Sequence, residues 1–309
     1  MQATSLLLVG PEELVWSADE LVAPGAHEVL VETLAGAISI GTELPHYLGT
    51  SRGDHRDYPV MTGYESVARV LECGDRVGHL KPGDRIVSFY GHRTHAIVPD
   101  DKAICVPDGI DDEMALLSIL SCDVAKGVRK LAPQPDDAIL ISGGGTIGLL
   151  TLWTLKRLGV HLVDLFEPLA ARRELASRIG ARATYDVHEA ARIDAVYANG
   201  FECSSRDAAF AVLQQKLRDD GAICVLADGN LEPLTLTPAF HRKELRIVGS
   251  SDGWDYHAHA RWFFEQTRGD QASPLRQLFT WHVDAGELPG TFERLAHGAE
   301  RPIKVFVRY

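Results

Sequence analysis

The spacing of hydrophobic and polar residues changes near residue 123. Before that point, short apolar runs are separated by Gly, Pro and Asp, a pattern that predicts β-strands joined by turns. After it, apolar runs alternate with segments of helical spacing, as in a parallel sheet whose strands are connected by helices. The strands predicted before the change are 28–33, 66–72, 85–89 and 96–98. The elements predicted after it are strands 138–142, 162–167, 195–198, 222–227 and 245–249, helices 148–158, 169–179, 206–217 and 257–267, and a last strand at 303–308.

These patterns predict an α/β protein of two domains. Residues 123–250 are expected to form a doubly wound parallel sheet. Residues 1–122 and 251–309 are expected to form a mostly β domain with a partly closed barrel. A chain of 309 residues is long enough to bury the cores of two such domains.

A glycine motif follows directly on the predicted strand 138–142. Gly143 permits a tight turn, Gly145 lets the backbone approach a pyrophosphate, and Gly148 lets the next helix pack closely on the strand. The next predicted strand ends in Glu167, where a carboxylate accepts hydrogen bonds from the adenosine ribose hydroxyls. The motif predicts a Rossmann-type dinucleotide site. The predicted cofactor-binding residues of this segment are Gly143, Gly145, Thr146, Ile147, Gly148 and Glu167.

Composition and charge exclude several functions. The formal net charge of −12 argues against nucleic-acid binding, which needs clustered Lys and Arg. No apolar stretch reaches transmembrane length, so we expect no membrane insertion. The five cysteines lie far apart and form no Cys-x-x-Cys pair, which favours free thiols in a reducing cytoplasm.

Several further motifs occur in a fixed order along nearly the whole chain. They are Gly41-Thr42-Glu43, Tyr58-Pro59-Val60-Met61-Thr62-Gly63-Tyr64-Glu65, Lys81-Pro82-Gly83-Asp84-Arg85-Ile86, the glycine motif, Lys243-Glu244-Leu245-Arg246-Ile247-Val248-Gly249-Ser250 and Ile303-Lys304-Val305-Phe306-Val307. In this order and spacing the chain resembles the medium-chain dehydrogenase/reductase superfamily, which includes zinc alcohol dehydrogenases and zinc-free quinone and enoyl reductases. The resemblance implies a GroES-like substrate domain, a Rossmann domain, an active site in the cleft between them, and NAD(P)-dependent oxidoreductase activity.

The sequence departs from the zinc-dependent members at their metal ligands. Those members place a cysteine before Gly-Thr and a histidine between the Gly and Glu of the second motif, where this chain has Ile40 and Tyr64. Cys122 stands where a third ligand often lies, but one remaining ligand cannot hold a catalytic zinc. The four-cysteine insertion of the structural zinc lobe is also missing. His92 and His95, in the turn found there instead, are expected to be solvated, and the departures predict a protein without a metal site.

Without zinc, another group must protonate or polarise the substrate oxygen. By its position in the family, Thr42 corresponds to the hydroxyl that relays the proton in alcohol dehydrogenases. Tyr64 could donate a hydrogen bond to the substrate, or its ring could simply fill the space that zinc has vacated. Lys126 could stabilise negative charge, or its ammonium could reach solvent. Thr42, Tyr64 and Lys126 are the candidate catalytic residues.

The cofactor expected from Glu167 is NAD rather than NADP, because a carboxylate there repels a 2′-phosphate. In some family members a basic residue at the position of Lys304 contacts the pyrophosphate. The last strand of the parallel sheet, 245–249, should be an apolar edge, which predicts a homodimer formed by pairing of two edges.

One zinc-free branch of the superfamily is most similar in pattern, namely the dehydrogenases acting on the hydroxyethyl side chain of bacteriochlorophyllides. The similarity lies in residues 39–43, 63–65 and 238–244. It implies interconversion of an alcohol and a carbonyl on a small molecule, which aromatic residues near the cleft suggest is flat or apolar. Two alternatives stay open, namely reduction of an activated C=C bond and a non-catalytic dinucleotide-binding sensor or partner protein.

Overall fold

The computed structural model describes residues 1–51, 57–227, 232–270, 273–298 and 300–309. Its strands are β1 (Gln2–Gly10), β2 (Glu13–Glu20), β3 (Glu28–Ile38), β4 (Val60–Met61), β5 (Glu65–Cys73), β6 (Arg85–Ser88), β7 (His95–Pro99), β8 (Ile104–Cys105), β9 (Ile139–Ser142), β10 (Val163–Phe166), β11 (Ala183–Tyr185), β12 (Tyr197–Glu202), β13 (Leu217–Val225), β14 (Arg246–Gly249), β15 (Phe279–Asp284) and β16 (Lys304–Arg308). Its α-helices are α1 (Ile40–Tyr47), α2 (Asp112–Leu131), α3 (Thr146–Arg157), α4 (Ala170–Ile179), α5 (Val187–Ala190), α6 (Asp207–Lys216), α7 (Pro238–Arg242), α8 (Tyr256–Thr267) and α9 (Leu288–Ala296).

The chain divides into two compact units. Unit 1 comprises Met1–Ile119 and Ala260–Tyr309, and unit 2 comprises Leu120–His259. The sequence pattern placed the two changes at 122/123 and 250/251. In the structure each change falls inside a helix, α2 or α8, so no loop marks it in the sequence.

Unit 1 is built around the long strand β3. This strand pairs antiparallel with β5 along its length, with β7 over its first half and with β16 over its second half. The sheet continues from β16 to β15 and from β5 through β6 to β8, while β2, β1 and β4 form a second, antiparallel sheet. One side of the unit is filled by a hydrophobic cluster that includes Leu6, Ile38, Phe292 and Val305. The GroES-like, mostly β domain was predicted, but the hairpin of β1 and β2 was not.

Unit 2 contains a six-stranded parallel sheet in the order β11-β10-β9-β12-β13-β14. Numbered within the unit this order is 3-2-1-4-5-6, the doubly wound order of a Rossmann domain. The order reverses between β9 and β12, so their carboxyl ends border the crevice in which such folds bind ligands. The predicted α/β class with a Rossmann-type sheet is therefore confirmed, and β14 is an edge strand as expected.

None of the helices in the described ranges combines the length and apolar character needed to cross a bilayer.

A buried histidine joins two helices within unit 2. The His259 ring on α8 lies 3.0 Å from the Ser121 hydroxyl on α2, and both side chains are buried. Burial, with a smaller contribution from the charge of Arg129, lowers the pKa of His259 from 6.5 to about 4. The imidazole is therefore neutral in the folded protein at pH 6.

We predict that this histidine makes the protein less stable in mild acid. In the unfolded chain it takes up a proton as the pH falls below about 6.5, whereas the folded protein does so only near pH 4. Stability should thus be lost between these values, by at most about 3 kcal/mol. Urea unfolding at several pH values should show a shallower loss for His259→Gln than for wild type. Identical pH profiles for the two proteins would contradict the assignment.

Candidate active site

The glycine loop of unit 2 connects β9 to α3. Gly143 has a φ of 93°, which a residue without a Cβ adopts without strain. A Cβ on Gly148 would overlap the Gly143 carbonyl oxygen, so only glycine permits this approach of helix to strand. Gly145 is the N-cap of α3, and a Cβ there would meet nothing within 4 Å. Thr146 and Ile147 begin the helix, and the N-terminus of a helix is suited to binding an anion.

Glu167 follows β10 and is tied to the glycine loop. Its carboxylate accepts hydrogen bonds from the backbone N–H of Gly144 at 2.7 Å and of Leu169 at 3.0 Å. The side chain of Arg173 donates hydrogen bonds to the carbonyl oxygens of Glu167 and Pro168. The loop, the start of α3 and this carboxylate thus lie together and fit the phosphates and ribose of a dinucleotide.

A second acid, missed from the sequence, ends the neighbouring strand β12. The Glu202 carboxylate is buried and accepts hydrogen bonds from the Ser142 hydroxyl at 3.3 Å and the Ser204 N–H at 2.8 Å. Burial raises its pKa. A Cβ on Gly143 would lie about 3 Å from Cys203 and Ser204, so Glu202 braces the segment on which the glycine loop packs.

In unit 1, Tyr64 belongs to a cluster of hydroxyl groups. Its phenol donates a hydrogen bond to Ser39 Oγ at 2.7 Å, and the Thr42 hydroxyl is a second hydrogen-bonding neighbour. Burial raises the pKa of Tyr64 well above its usual value, and the nearby charge of Glu65 raises it further. The phenol therefore keeps its proton and acts as a hydrogen-bond donor. The structure thus brings Thr42 and Tyr64 together.

These hydroxyls border a cavity of about 330 Å³ that lies wholly in unit 1. Its apolar wall includes Leu8, Leu14, Tyr47, Val60, Met61 and Phe292. Thr42 and Tyr64 contribute polar groups, together with Glu43 and His46. Apolar and polar groups line the cavity in similar measure, which suits a small molecule that carries both.

Two buried ionisable residues, Glu43 and His92, lie next to this hydroxyl cluster. His92 is only 1% exposed, and its Nε2 lies 3.1 Å from Glu43 Oε2. The other oxygen of Glu43 accepts the backbone N–H of Ser39 at 2.7 Å. The expectation that His92 is solvated is therefore wrong, because the turn directs its ring inward against Glu43. His95 is half-buried beside Thr94.

The chain is similar to known proteins in family, sequence and fold. Residues 25–115 match the family described as the alcohol dehydrogenase GroES-like domain. The 2-desacetyl-2-hydroxyethyl bacteriochlorophyllide A dehydrogenase of Cereibacter sphaeroides is 28% identical over 272 residues, which cover 80% of each chain. A protein from Sinorhizobium meliloti, assigned as a zinc-binding dehydrogenase and bound to NADP, superposes with a TM-score of 0.87 at 20% identity over 100% of both chains. An alcohol dehydrogenase from Escherichia coli in complex with NADH gives 0.83 at 18% identity, over 100% of this chain and 99% of that one.

In sequence and fold the chain is similar to members of the medium-chain dehydrogenase/reductase superfamily. The resemblance inferred from the order of its motifs is thereby confirmed. The chain is an NAD(P)-dependent oxidoreductase, and its glycine loop and Glu167 have the form that binding of such a cofactor requires.

The residues of this member do not fit the catalytic zinc of its metal-dependent relatives. Ile40 offers no ligand atom, and the Tyr64 phenol is held by Ser39. Cys122 keeps a sulfur that zinc could bind, and burial raises the pKa of its thiol to about 11, but a single ligand cannot hold a catalytic zinc. Within the described ranges, no three His, Cys, Asp or Glu side chains are grouped so that they could hold a metal ion.

Lys304 is paired with an acid inside unit 1. Its ammonium is 2.6 Å from Glu65 Oε1, and both side chains are buried. An uncompensated carboxylate in this position would be very costly, so the pairing stabilises the fold. The contact of Lys304 with the cofactor pyrophosphate stays a prediction.

Lys126, the third candidate catalytic residue, belongs to unit 2. Its ammonium donates to the Asp252 carbonyl oxygen at 2.8 Å and lies 5.9 Å from the centre of the Trp254 ring. These contacts anchor it to the segment that follows β14. Of the three candidates, Thr42 and Tyr64 lie together in unit 1.

Proposed function

We propose that this chain is a zinc-independent dehydrogenase that interconverts an alcohol and a carbonyl, with Tyr64 as its proton-donating group. The observation that carries the proposal is that Ile40 and a half-buried, protonated tyrosine in a hydroxyl cluster stand where zinc-dependent relatives have two zinc ligands. Bound nicotinamide supplies or accepts the hydride. The remaining chemistry, which the protein must provide, is control of charge on the substrate oxygen.

Tyr64 is suited to that task because burial keeps its phenol protonated. When substrate binds, the phenol proton turns from Ser39 Oγ to the carbonyl oxygen, which it polarises, and the alkoxide that forms takes this proton. Thr42 donates to the phenol oxygen and so stabilises the negative charge that develops there. Lys126 is retained as a candidate only for a role in unit 2, beside the segment that contains Trp254.

We further propose NAD as the preferred cofactor. The Glu167 carboxylate is fixed beside the glycine loop by two backbone N–H groups, so it cannot easily turn away from the ribose. A 2′-phosphate on that ribose would meet a fixed negative charge. One similar protein is bound to NADP and another to NADH, so the two do not favour either cofactor. The preference for NAD is argued from Glu167 alone.

The substrate we propose is a small molecule with an alcohol or carbonyl group and an apolar part. The cavity of about 330 Å³ favours it, because its lining combines apolar side chains with hydroxyl groups. Reduction of an activated C=C bond is the second candidate, because a tyrosine donor could equally protonate an enolate. Turnover of aldehydes, ketones and enones with NADH distinguishes the two.

We also propose a cytoplasmic homodimer with no membrane or nucleic-acid partner. The edge strand β14 leaves backbone hydrogen-bonding groups available to a second copy of the chain. Sedimentation of the intact chain should give twice its mass of 33.8 kDa, and a stable monomer would contradict the proposal.

Removing the Tyr64 hydroxyl should impair turnover. We expect Tyr64→Phe to lower kcat by about a hundredfold, because one positioned donor is lost from the transition state. NADH affinity, measured by fluorescence titration, should not change. Tyr90→Phe is the matched control, since it removes a buried hydroxyl of unit 1 that is bonded to Thr33 at 3.0 Å, away from the cavity. Full turnover by Tyr64→Phe would refute the assignment.

Removing the charge of Glu167 should weaken the cofactor preference. Wild type should bind NADH more tightly than NADPH. Glu167→Gln should lower the ratio of the NADPH Kd to the NADH Kd by about tenfold, because the repulsion between the carboxylate and the 2′-phosphate is lost while one acceptor oxygen remains. Titrations of both cofactors measure the ratio. Glu174→Gln removes the same charge from an exposed position of α4 and should leave the ratio unchanged. A wild-type preference for NADPH would contradict the prediction.

A further inference from the structure

Ser39 occupies a helix N-cap but does not cap the helix. It precedes α1, where a serine hydroxyl ordinarily accepts a hydrogen bond from a backbone N–H of the first turn. No such bond is present, and Ser39 Oγ instead accepts the Tyr64 phenol at 2.7 Å. The Ser39 hydroxyl is therefore bonded to the proposed proton donor and not to the first turn of α1.

Glu43 holds Ser39 in this orientation. Glu43 lies in α1, and its carboxylate reaches back to accept the Ser39 N–H at 2.7 Å. Its second oxygen lies 3.1 Å from His92 Nε2. Both side chains are buried, so solvent does not compete for these bonds.

His92 is itself held on several sides. Its Nδ1 lies 3.3 Å from the Tyr309 hydroxyl, and its ring packs edge-on against Phe292 with the ring centres 6.3 Å apart. A Cβ on Gly63, the residue directly before Tyr64, would lie 2.8 Å from the imidazole. The ring therefore supports both the backbone leading into Tyr64 and the carboxylate that anchors Ser39.

Resting on the proposed function, we propose that Glu43 and His92 are positioning residues that fix Ser39 and thereby orient the Tyr64 phenol towards substrate. The connection from Glu43 to Ser39 passes through a backbone N–H, which does not relay protons. The pair therefore acts on the geometry of the donor rather than on its proton supply. Loss of the pair should lower kcat by about tenfold or more, since misplacement of a catalytic group is costly, without moving the pH dependence of kcat.

The orientation can be measured without a substrate. In protein labelled with 13C at tyrosine Cζ, the Tyr64 resonance is the one that Tyr64→Phe removes, and its chemical shift reports hydrogen bonding of the phenol. We expect Ser39→Ala and Glu43→Ala to shift this resonance. Ser39→Thr and Glu43→Gln, which keep the hydroxyl and an acceptor oxygen, should restore it. Ser88→Ala, which deletes another buried serine hydroxyl bonded at 2.8 Å to the Lys102 carbonyl, should leave it unchanged.

The kinetic readout uses the same variants with NADH and the best substrate of the carbonyl panel. Ser39→Ala and Glu43→Ala should lower kcat more than they raise KM, and Ser39→Thr should recover most of the loss. An unshifted Tyr64 resonance in Ser39→Ala and Glu43→Ala would overturn the inference, whatever their kcat. If those variants and Tyr64→Phe all kept wild-type turnover, the proposed function would fail as well. If Tyr64→Phe lost turnover while the Ser39 and Glu43 variants kept it, the positioning role of Glu43 and His92 would be refuted and the proposed function would stand.

Discussion

Two carboxylates are buried in unit 1, and the site around Tyr64 depends on how their charges are compensated. Glu65 is neutralised by Lys304 at 2.6 Å, and Glu43 is hydrogen-bonded to His92 at 3.1 Å and to the Ser39 amide. A buried carboxylate without such partners would cost several kcal/mol. These pairings thus permit acidic residues beside a tyrosine whose phenol must stay protonated, and the acids in turn help to keep it so.

The residues of the dinucleotide loop belong to unit 2. There the constraint is steric, since a side chain on Gly148 would overlap the Gly143 carbonyl oxygen where strand, loop and helix meet. Glu167 then adds a fixed charge beside the loop through two backbone hydrogen bonds. Neither feature depends on a metal, so loss of zinc ligands in unit 1 leaves the dinucleotide site intact.

The sequence was most informative where structure is dictated locally. The glycine loop, the acid after β10 and the edge position of β14 follow from short motifs and the order of elements, and each could be predicted. Helix α1 was not predicted. It contains Pro45, and proline is disfavoured inside a helix. Helix α2 was missed because the change of pattern near residue 123 falls within its 20 residues.

The polar contacts of the site could not be predicted because they join distant parts of the chain. Lys304 and Glu65 are 239 positions apart, and His92 meets Glu43 across 49. Position in a family predicted a cofactor contact for Lys304 but gave no sign of its pairing with Glu65. Ser39 and Glu43 flank Gly41-Thr42 in the sequence, whereas His92 is far from them along the chain, so no sequence signal indicated that the three act together.

We propose that a protonated tyrosine controls the charge on the substrate oxygen in this chain, a task that a metal ion has in zinc-dependent relatives. The most direct measurement is the metal content of purified, catalytically active protein, determined by mass spectrometry before and after treatment with a strong zinc chelator. We expect far less than one zinc per chain, and we expect the chelator to leave turnover unchanged. One zinc per chain, with activity lost on chelation and regained when zinc is restored, would contradict it.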